Sequence, residues 1–365
     1  MLREINCEIM NKIEKINFKK IKRISPSQFY SMKNCAYKTI LAEAFDKNPI
    51  LPPSPTAYFG TVIHKILELI SKGNISNDEE FNVEFDKQVQ ILEDELLHLG
   101  FSFFVPLKIN VRNFGLKKIQ LKKHLRSDLV KKTISSGMKI HSERWIESQD
   151  KLIGGQIDLI IENGNNIEIV DFKTGSITQD FLDDEGELYQ DIKNEYKEQL
   201  KLYAYLYFEN TNNFPTILSL VDLTKQKFSL DFSEKECKNL FEEAKNLLKS
   251  TNESIDNNLF SANPNQENCK YCLYRPACSF FHKKLETEFS FNDVIGYIKA
   301  VKKFQNGKVS VYLDCRNVKI SINNFDSAQF EELINFTNRQ IKIYNLRKET
   351  SEFVYSVTNT TKIYE

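Results

Sequence analysis

Residues Gly154–Gly175 read GGQIDLIIENGNNIEIVDFKTG. Two apolar runs rich in Ile and Val flank Asn163, Gly164, Asn165 and Asn166, a pattern that predicts two short strands joined by a turn. Charge interrupts the runs. Asp158 stands between Ile157 and Leu159, and Asp171 and Lys173 bracket Phe172 directly after Ile169 and Val170. Strand side chains alternate faces, so Asp171 and Lys173 project to one side, and Asp158 can reach them across the hairpin. Two carboxylates so placed repel each other unless a cation sits between them, a need that a hard divalent ion with oxygen ligands answers. A lysine two residues on can orient or deprotonate a water held by that ion and steady charge developing on a phosphate. The plainer reading is a hairpin with solvated turn charges, and the rest of the chain weighs against it.

At 365 residues the chain can bury a full core, and one large domain plus one small one is expected. Charge is balanced, with 50 basic and 50 acidic side chains, so no global field points to nucleic acid. Local asymmetry does. Pro106–Lys151 carries twelve Lys and Arg against four Asp and Glu, whereas Asp180–Leu200 carries eight acids against two lysines. The first twenty residues, MLREINCEIMNKIEKINFKK, are too charged for a secretory leader, and no apolar run reaches membrane-spanning length. Seven cysteines, an odd number, argue against a secreted disulfide framework. A cytoplasmic protein without membrane contact is expected.

In chain order, Ile24–Leu41 predicts a helix capped by Ser25 or Ser27, with Phe29, Met32 and Tyr37 turned inward and Cys35 on it. Leu51–Pro55 is a proline-rich loop. Phe59–Ile70 predicts an apolar helix containing His64, with Glu68 on the same face four residues later. Taken alone, His64 is a core histidine. Asp78–Leu99 predicts an amphipathic helix, and His141–Trp145 a strand entering the hairpin. Thr178–Asn194 reads as an acidic surface excursion. Tyr196–Phe208 predicts a helix on which Gln199 and Tyr203 are neighbours. Ile217–Asp222 and Lys227–Phe232 read as strands, and Ser233 with Glu236 forms a capping-box pattern opening a helix to about Lys249.

Cys269, Cys272 and Cys278 form C-x2-C-x5-C between Pro264 and His282, with Pro276 inside the loop. Three cysteines within ten residues point to metal ligation. Three thiolates need a fourth partner. His282 would complete a zinc set locally; the remaining candidates are Cys7, Cys35, Cys237 and Cys315.

With these elements in this order, the chain resembles the RecB-like branch of the PD-(D/E)XK nuclease superfamily from about Ser25 to Lys284. The likeness is to its iron-sulfur members: the AddB-type nuclease domain, exonuclease V and the CRISPR-adaptation exonucleases. In that family an early cysteine and a C-terminal C-x2-C-x5-C hold a 4Fe-4S cluster, which implies Cys35, Cys269, Cys272 and Cys278 as ligands. The resemblance makes His64, in Gly60-x-x-x-His64, a metal ligand alongside Asp158 and Asp171, with the Phe172 carbonyl as a further oxygen. Lys173 becomes the catalytic lysine, and Gln199 and Tyr203 match the Q-x-x-x-Y element beside the substrate strand. Many family members have Glu where this chain has Asp171. The imidazole suits Mn2+ as well as Mg2+.

From about Phe289 the texture changes to alternating strands: three, then a helix at Ser327–Phe336, then two more, the element order of an OB-fold. Tyr297, Phe304, Tyr312, Tyr344 and Tyr355 are candidates for stacking on bases, with Lys302, Lys303 and Arg316 on phosphates, although a small barrel also needs aromatics for its core. The expected architecture is an α/β PD-(D/E)XK restriction-endonuclease-like core with helical additions and an iron-sulfur staple over 1–286, followed by a small all-β OB-like domain over 289–365. The expected activity is metal-dependent hydrolysis of DNA, by an exonuclease on single strands or duplex ends, in repair, recombination or antiviral defence. The alternative is a DNA-end-binding subunit of a larger helicase, nuclease or integrase complex. No G-x-x-x-x-G-K-[ST] motif is present, so unwinding would need a partner.

Overall fold

The computed structural model describes residues 10–126, 138–182 and 187–365. Cys7, residues 127–137 of the basic run and residues 183–186 of the acidic excursion lie outside them. In chain order the elements are β1 (Met10–Asn11), α1 (Pro26–Asn34), α2 (Ala36–Ala44), α3 (Pro55–Ser71), α4 (Asp78–His98), α5 (Leu107–Asn110), α6 (Phe114–Lys122), β2 (Lys139–Glu147), β3 (Gly154–Asn163) and β4 (Asn166–Lys173). There follow β5 (Thr178–Leu182), β6 (Leu188–Ile192), α7 (Asn194–Thr211), β7 (Ile217–Asp222), β8 (Lys227–Leu230), α8 (Glu234–Asp256), α9 (Gln266–Lys270) and α10 (Ser279–Leu285). The chain closes with β9 (Val294–Lys303), β10 (Lys308–Cys315), β11 (Val318–Asp326), α11 (Phe330–Asn335), β12 (Gln340–Tyr344), β13 (Arg347–Lys348), β14 (Val354–Ser356) and β15 (Lys362–Tyr364). They fall into two compact units, Lys20–Lys33 with Ser54–Leu259, and Met1–Lys19 with Asn34–Pro53 and Phe260–Glu365.

The first of these units is built on a five-stranded sheet of order β2-β3-β4-β7-β8, antiparallel except for the β4–β7 pair. Gly164, at φ +59°, makes the turn of the β3–β4 hairpin. Alternation along β4 sends Val170 and Phe172 one way and Asp171 the other. On the first side lie α3, α4 and α6, whose Phe59, Ile63, Leu67, Phe85 and Leu121 form an apolar core that Phe172 joins. On the second side α7 crosses β2, β3, β4 and β7 and packs against α8. Local chemistry starts these helices where it should. The Ser54 hydroxyl accepts the Ala57 N–H ahead of Pro55 in α3, and Asn77 caps α4 by accepting from Glu79 and Glu80. Ser233 and Glu236 form the full capping box of α8, which runs on to Asp256.

One expectation changes here. The helix expected over Ile24–Leu41 is broken at Cys35, whose extended backbone (φ −158°, ψ 88°) separates α1 from α2, so the thiol stands between helices rather than on one. The acidic excursion lies at the surface as expected, its β5 and β6 pairing antiparallel with largely exposed side chains.

In the other unit, an eight-stranded sheet has the order β1-β15-β12-β9-β10-β11-β14-β13. The three long strands β9, β10 and β11 form an antiparallel meander, and β11 then pairs parallel with β14. Gly296 on β9 permits that meander to close up, because a Cβ there would meet the Asp314 carbonyl oxygen of β10 at 2.9 Å. The five expected strands are joined by β1, β13 and β15, each only two or three residues long. Strands so short carry no periodicity and exist only through pairings such as Met10 with Ile363. Tyr344 and Tyr355 are fully buried and serve the core, which removes them as base-stacking candidates; Tyr297, Phe304 and Tyr312 remain exposed. No helix among the described residues is long and apolar enough to cross a membrane.

Candidate metal centre and cysteine cluster

Five elements deliver the polar residues of the larger sheet-helix layer to one place. Asp158 on β3 accepts the Phe172 backbone N–H through Oδ2 at 2.7 Å, and the same oxygen lies 3.5 Å from Nδ1 of His64 on α3. Asp171, Lys173 and Gln199 close a triangle. Gln199 Nε2 donates to Asp171 Oδ1 at 2.8 Å, Lys173 Nζ donates to Gln199 Oε1 at 2.9 Å, and Nζ lies 2.8 Å from Asp171 Oδ2. Asp171 and Gln199 are 5% and 6% exposed, so each depends on the others for its hydrogen bonds. The Tyr196 ring sits 4.4 Å from Nζ and supports the ammonium by a cation–π contact. Tyr203, one turn beyond Gln199, donates its hydroxyl to the Gln156 carbonyl at 2.8 Å. That contact needs Gly155, where a Cβ would stand 3.0 Å from the Tyr203 hydroxyl oxygen and 3.0 Å from Pro26 Cδ.

Sequence reasoning missed Glu143. Among the described residues, His64, Glu143 and Asp158 each place one ligand atom within 4.8 Å of the other two, close enough to share an ion. Glu143 lies on β2 between the Ser142–Leu159 and Arg144–Ile157 pairs, opposite Asp158. A lone acid in a strand has no local signature, and only this register would have marked it. Asp171 stays outside that trio, its two oxygens turned to Gln199 and Lys173.

The electrostatics reflect crowded acids. Burial first, then the charges of Asp158 and Glu68, push Glu143 up to about 7 against the offsetting pull of His64 and Lys72. Burial and the charge of Asp158 also raise Asp171, although Lys173 opposes them. For His64, burial alone would lower the pKa, but the hydrogen bond and charge of Asp158, with Asp171 and Glu143 behind it, raise it overall. The trio's donor set of one imidazole and two carboxylates fits Mn2+ or Mg2+, which would relieve this repulsion.

A pH dependence follows with a definite sign. Without metal the folded chain holds protons on Glu143 between the ordinary value of 4.5 and about 7, and on His64 above its ordinary 6.5, so metal-free stability falls as pH rises through those windows. A metal ion must displace the same protons, so its affinity rises with pH. Calorimetric titration with Mn2+ between pH 5.5 and 8 should show tightening of up to about tenfold per pH unit for each proton displaced, and a shallower slope in Glu143→Gln. A flat profile would remove these groups from the ligand set.

In the other unit, Cys35, Cys269, Cys272 and Cys278 line one small cavity together with Tyr37 and Arg275. All four are free thiols. Burial pushes Cys269 up to about 11 and Cys278 to about 12 and raises Cys272, and nearby thiols, Cys35 among them, add to each shift. Four thiols around one cavity, three of them buried and none in a disulfide, suit a group that binds them as thiolates. His282 faces elsewhere. Its Nε2 is 3.0 Å from the Tyr344 hydroxyl, and its ring also bonds the backbone at Arg275 and Pro276. Cys237 is buried on α8, and the Cys315 sulfur lies 3.8 Å from the Glu286 carbonyl, neither among the four.

A family model described as PD-(D/E)XK nuclease superfamily matches residues 23–279. Among solved structures, the chain is similar to a crystal structure from Eubacterium rectale described as "Putative exonuclease", at 11% identity and a TM-score of 0.43, covering 72% of this chain and 88% of that one. It is also similar to a structure described as "Structural mimicry for functional antagonism", at 10% identity and a TM-score of 0.17, covering 64% of this chain and 98% of that one. A comparison with curated proteins finds no match.

Proposed function

Since this chain belongs to the PD-(D/E)XK nuclease superfamily, a group of phosphodiester hydrolases, we propose that it is a divalent-metal-dependent deoxyribonuclease, an exonuclease on single strands or duplex ends. One observation carries the reading: the convergence of His64, Glu143 and Asp158 on one point beside the Asp171–Lys173–Gln199 triangle. His64, Asp158, Asp171 and Glu143 would hold Mn2+ or Mg2+, with the Phe172 carbonyl as a further oxygen. The ion, when bound, supplies Lewis acidity toward the scissile phosphate and lowers the pKa of water. The chain's own groups do the rest. Gln199 and Asp171 hold the Lys173 ammonium in place, where it can move a proton to or from the attacking water and steady charge on the phosphate. Tyr203, anchored to β3, keeps α7 at the distance that lets Gln199 reach both partners.

In the same proposal the chain is of the RecB-like iron-sulfur branch, with Cys35, Cys269, Cys272 and Cys278 around a 4Fe-4S cluster. The shared cavity supports this, and free thiols suit a reducing compartment such as the cytoplasm. The order β12-β9-β10-β11-β14, with its parallel β11–β14 pair, supports an OB-like reading of the last eighty or so residues. A helicase or integrase partner would supply the unwinding or end delivery that this chain has no motif for.

The test is direct. The purified chain, given end-labelled linear DNA and Mn2+, should release nucleotides or short oligonucleotides from ends and none with excess chelator. Retention of DNA ends without hydrolysis under any divalent ion would replace this reading with that of an end-binding subunit.

A further inference from the structure

Arg275 sits between the second and third cysteines of C-x2-C-x5-C and is only 4% exposed, although a guanidinium stays charged. Its Nη1 donates to the carbonyls of Cys269 at 3.2 Å, Lys270 at 3.3 Å and Cys272 at 2.7 Å. One side chain therefore shapes the turn that carries two of the thiols. The other half of the fork points away from the loop. Nε donates to Asp293 Oδ2 at 2.6 Å, and Nη2 to Asp293 Oδ1 at 3.3 Å and to Asn345 Oδ1 at 2.7 Å. Asp293 Oδ1 also accepts the Asn345 N–H at 2.8 Å. Asn345, in the left-handed region at φ +59°, is held in turn: its carbonyl accepts the hydroxyls of Thr358 and Thr361, and its Nδ2 donates to the Thr360 carbonyl. Asp293 directly precedes β9 and Asn345 directly follows β12, two adjacent strands of the sheet.

We propose that the Arg275–Asp293–Asn345 network is the positioning device of the cysteine cluster, so that strands lying up to some seventy residues beyond the last cysteine fix the sulfurs in ligand geometry. This rests on the four-thiol reading above. A bidentate guanidinium–carboxylate pair buried this deeply has a fixed direction, and the turn carbonyls it gathers follow from that direction. The hydrophobic packing of the sheet thereby sets the spacing of Cys269 and Cys272. Its positive charge beside the thiolates also bears on the electronic character of whatever they bind.

The experiment uses the full chain purified without oxygen, with iron content, visible absorption, reduction potential and the rate of iron transfer to a chelator measured for wild type, Asp293→Ala, Asp293→Glu and Asn345→Ala. Ile334→Ala, exposed on α11 and outside the network, is the control. Asp293→Ala should release iron about tenfold faster or more and shift the potential, Asn345→Ala less so, Asp293→Glu should recover part of the loss, and the control should match wild type. Mn2+-dependent melting of the nuclease site should be unchanged in all of them, which separates loss of the device from failure to fold. Wild type holding full iron while Asp293→Ala and Asn345→Ala release it at the same rate with the same potential overturns the inference alone. A wild-type chain with no thiolate-bound metal overturns the four-thiol reading, and this inference with it.

Discussion

Lys173→Ala should cut metal-dependent DNA cleavage by about a thousandfold or more while leaving Mn2+ binding nearly intact. The size comes from two roles lost at once, proton transfer near the reacting water and charge stabilisation in a buried site, each commonly of the order of a hundredfold or more. Fold loss is not expected to account for it. Lys173 contributes one hydrogen bond to Gln199 and one ion pair to Asp171. Once the ammonium is gone, metal-free Asp171, already raised by burial, takes up a proton rather than remain an unpaired buried anion, and a bound ion would take that proton's place. Asp158→Ala is the informative contrast. It removes the oxygen shared between His64 and the Phe172 N–H and should lose both Mn2+ binding and cleavage. Single-turnover cleavage measured beside calorimetric Mn2+ titration separates the two variants, and Lys173→Ala activity within tenfold of wild type would sink the assignment.

Cys35→Ser carries the second large effect, on the other unit. The thiol lies 234 residues before Cys269, and a metal group bridging them would act as a cross-link over a loop of that length, worth on the order of 5 kcal/mol if treated like a covalent one. For a chain of this size such a loss lowers the melting temperature by roughly 7 °C. The visible thiolate-to-iron absorption should disappear with it. His282→Asn should change neither, because both faces of that imidazole are occupied by Tyr344 and by backbone at Arg275 and Pro276. The opposite pattern, metal retained in Cys35→Ser and lost in His282→Asn, would establish a local zinc site in place of the cluster.

Local signals made much of this molecule legible from the residues alone. Alternation and the Asn163–Asn166 turn marked the β3–β4 hairpin, helical spacing marked α3, α4 and α7, and Ser233 with Glu236 marked the start of α8. Each of these depends on neighbours within a few positions, so a one-dimensional reading contains the cause. The same holds for the C-x2-C-x5-C spacing and for Asp171 and Lys173 sharing a face of β4. Glu143 shows the limit. Its proximity to Asp158 depends on the offset at which β2 pairs with β3, and a shift of one residue would turn it to the other face.

Cys35, Tyr344 and the short strands show the same limit from three sides. The choice of Cys35 over Cys237 and Cys315 as the thiol that lines a cavity with the other three, the burial of Tyr344 and Tyr355, and the strands β1 and β15 all arise from contacts between segments tens to hundreds of residues apart. The residues by themselves determined which side chains this protein has for holding metal, and in what local geometry most of them are presented. Which of those side chains meet was decided by strand register and by long-range packing, since both are set by the burial of whole faces rather than by any pattern along the chain.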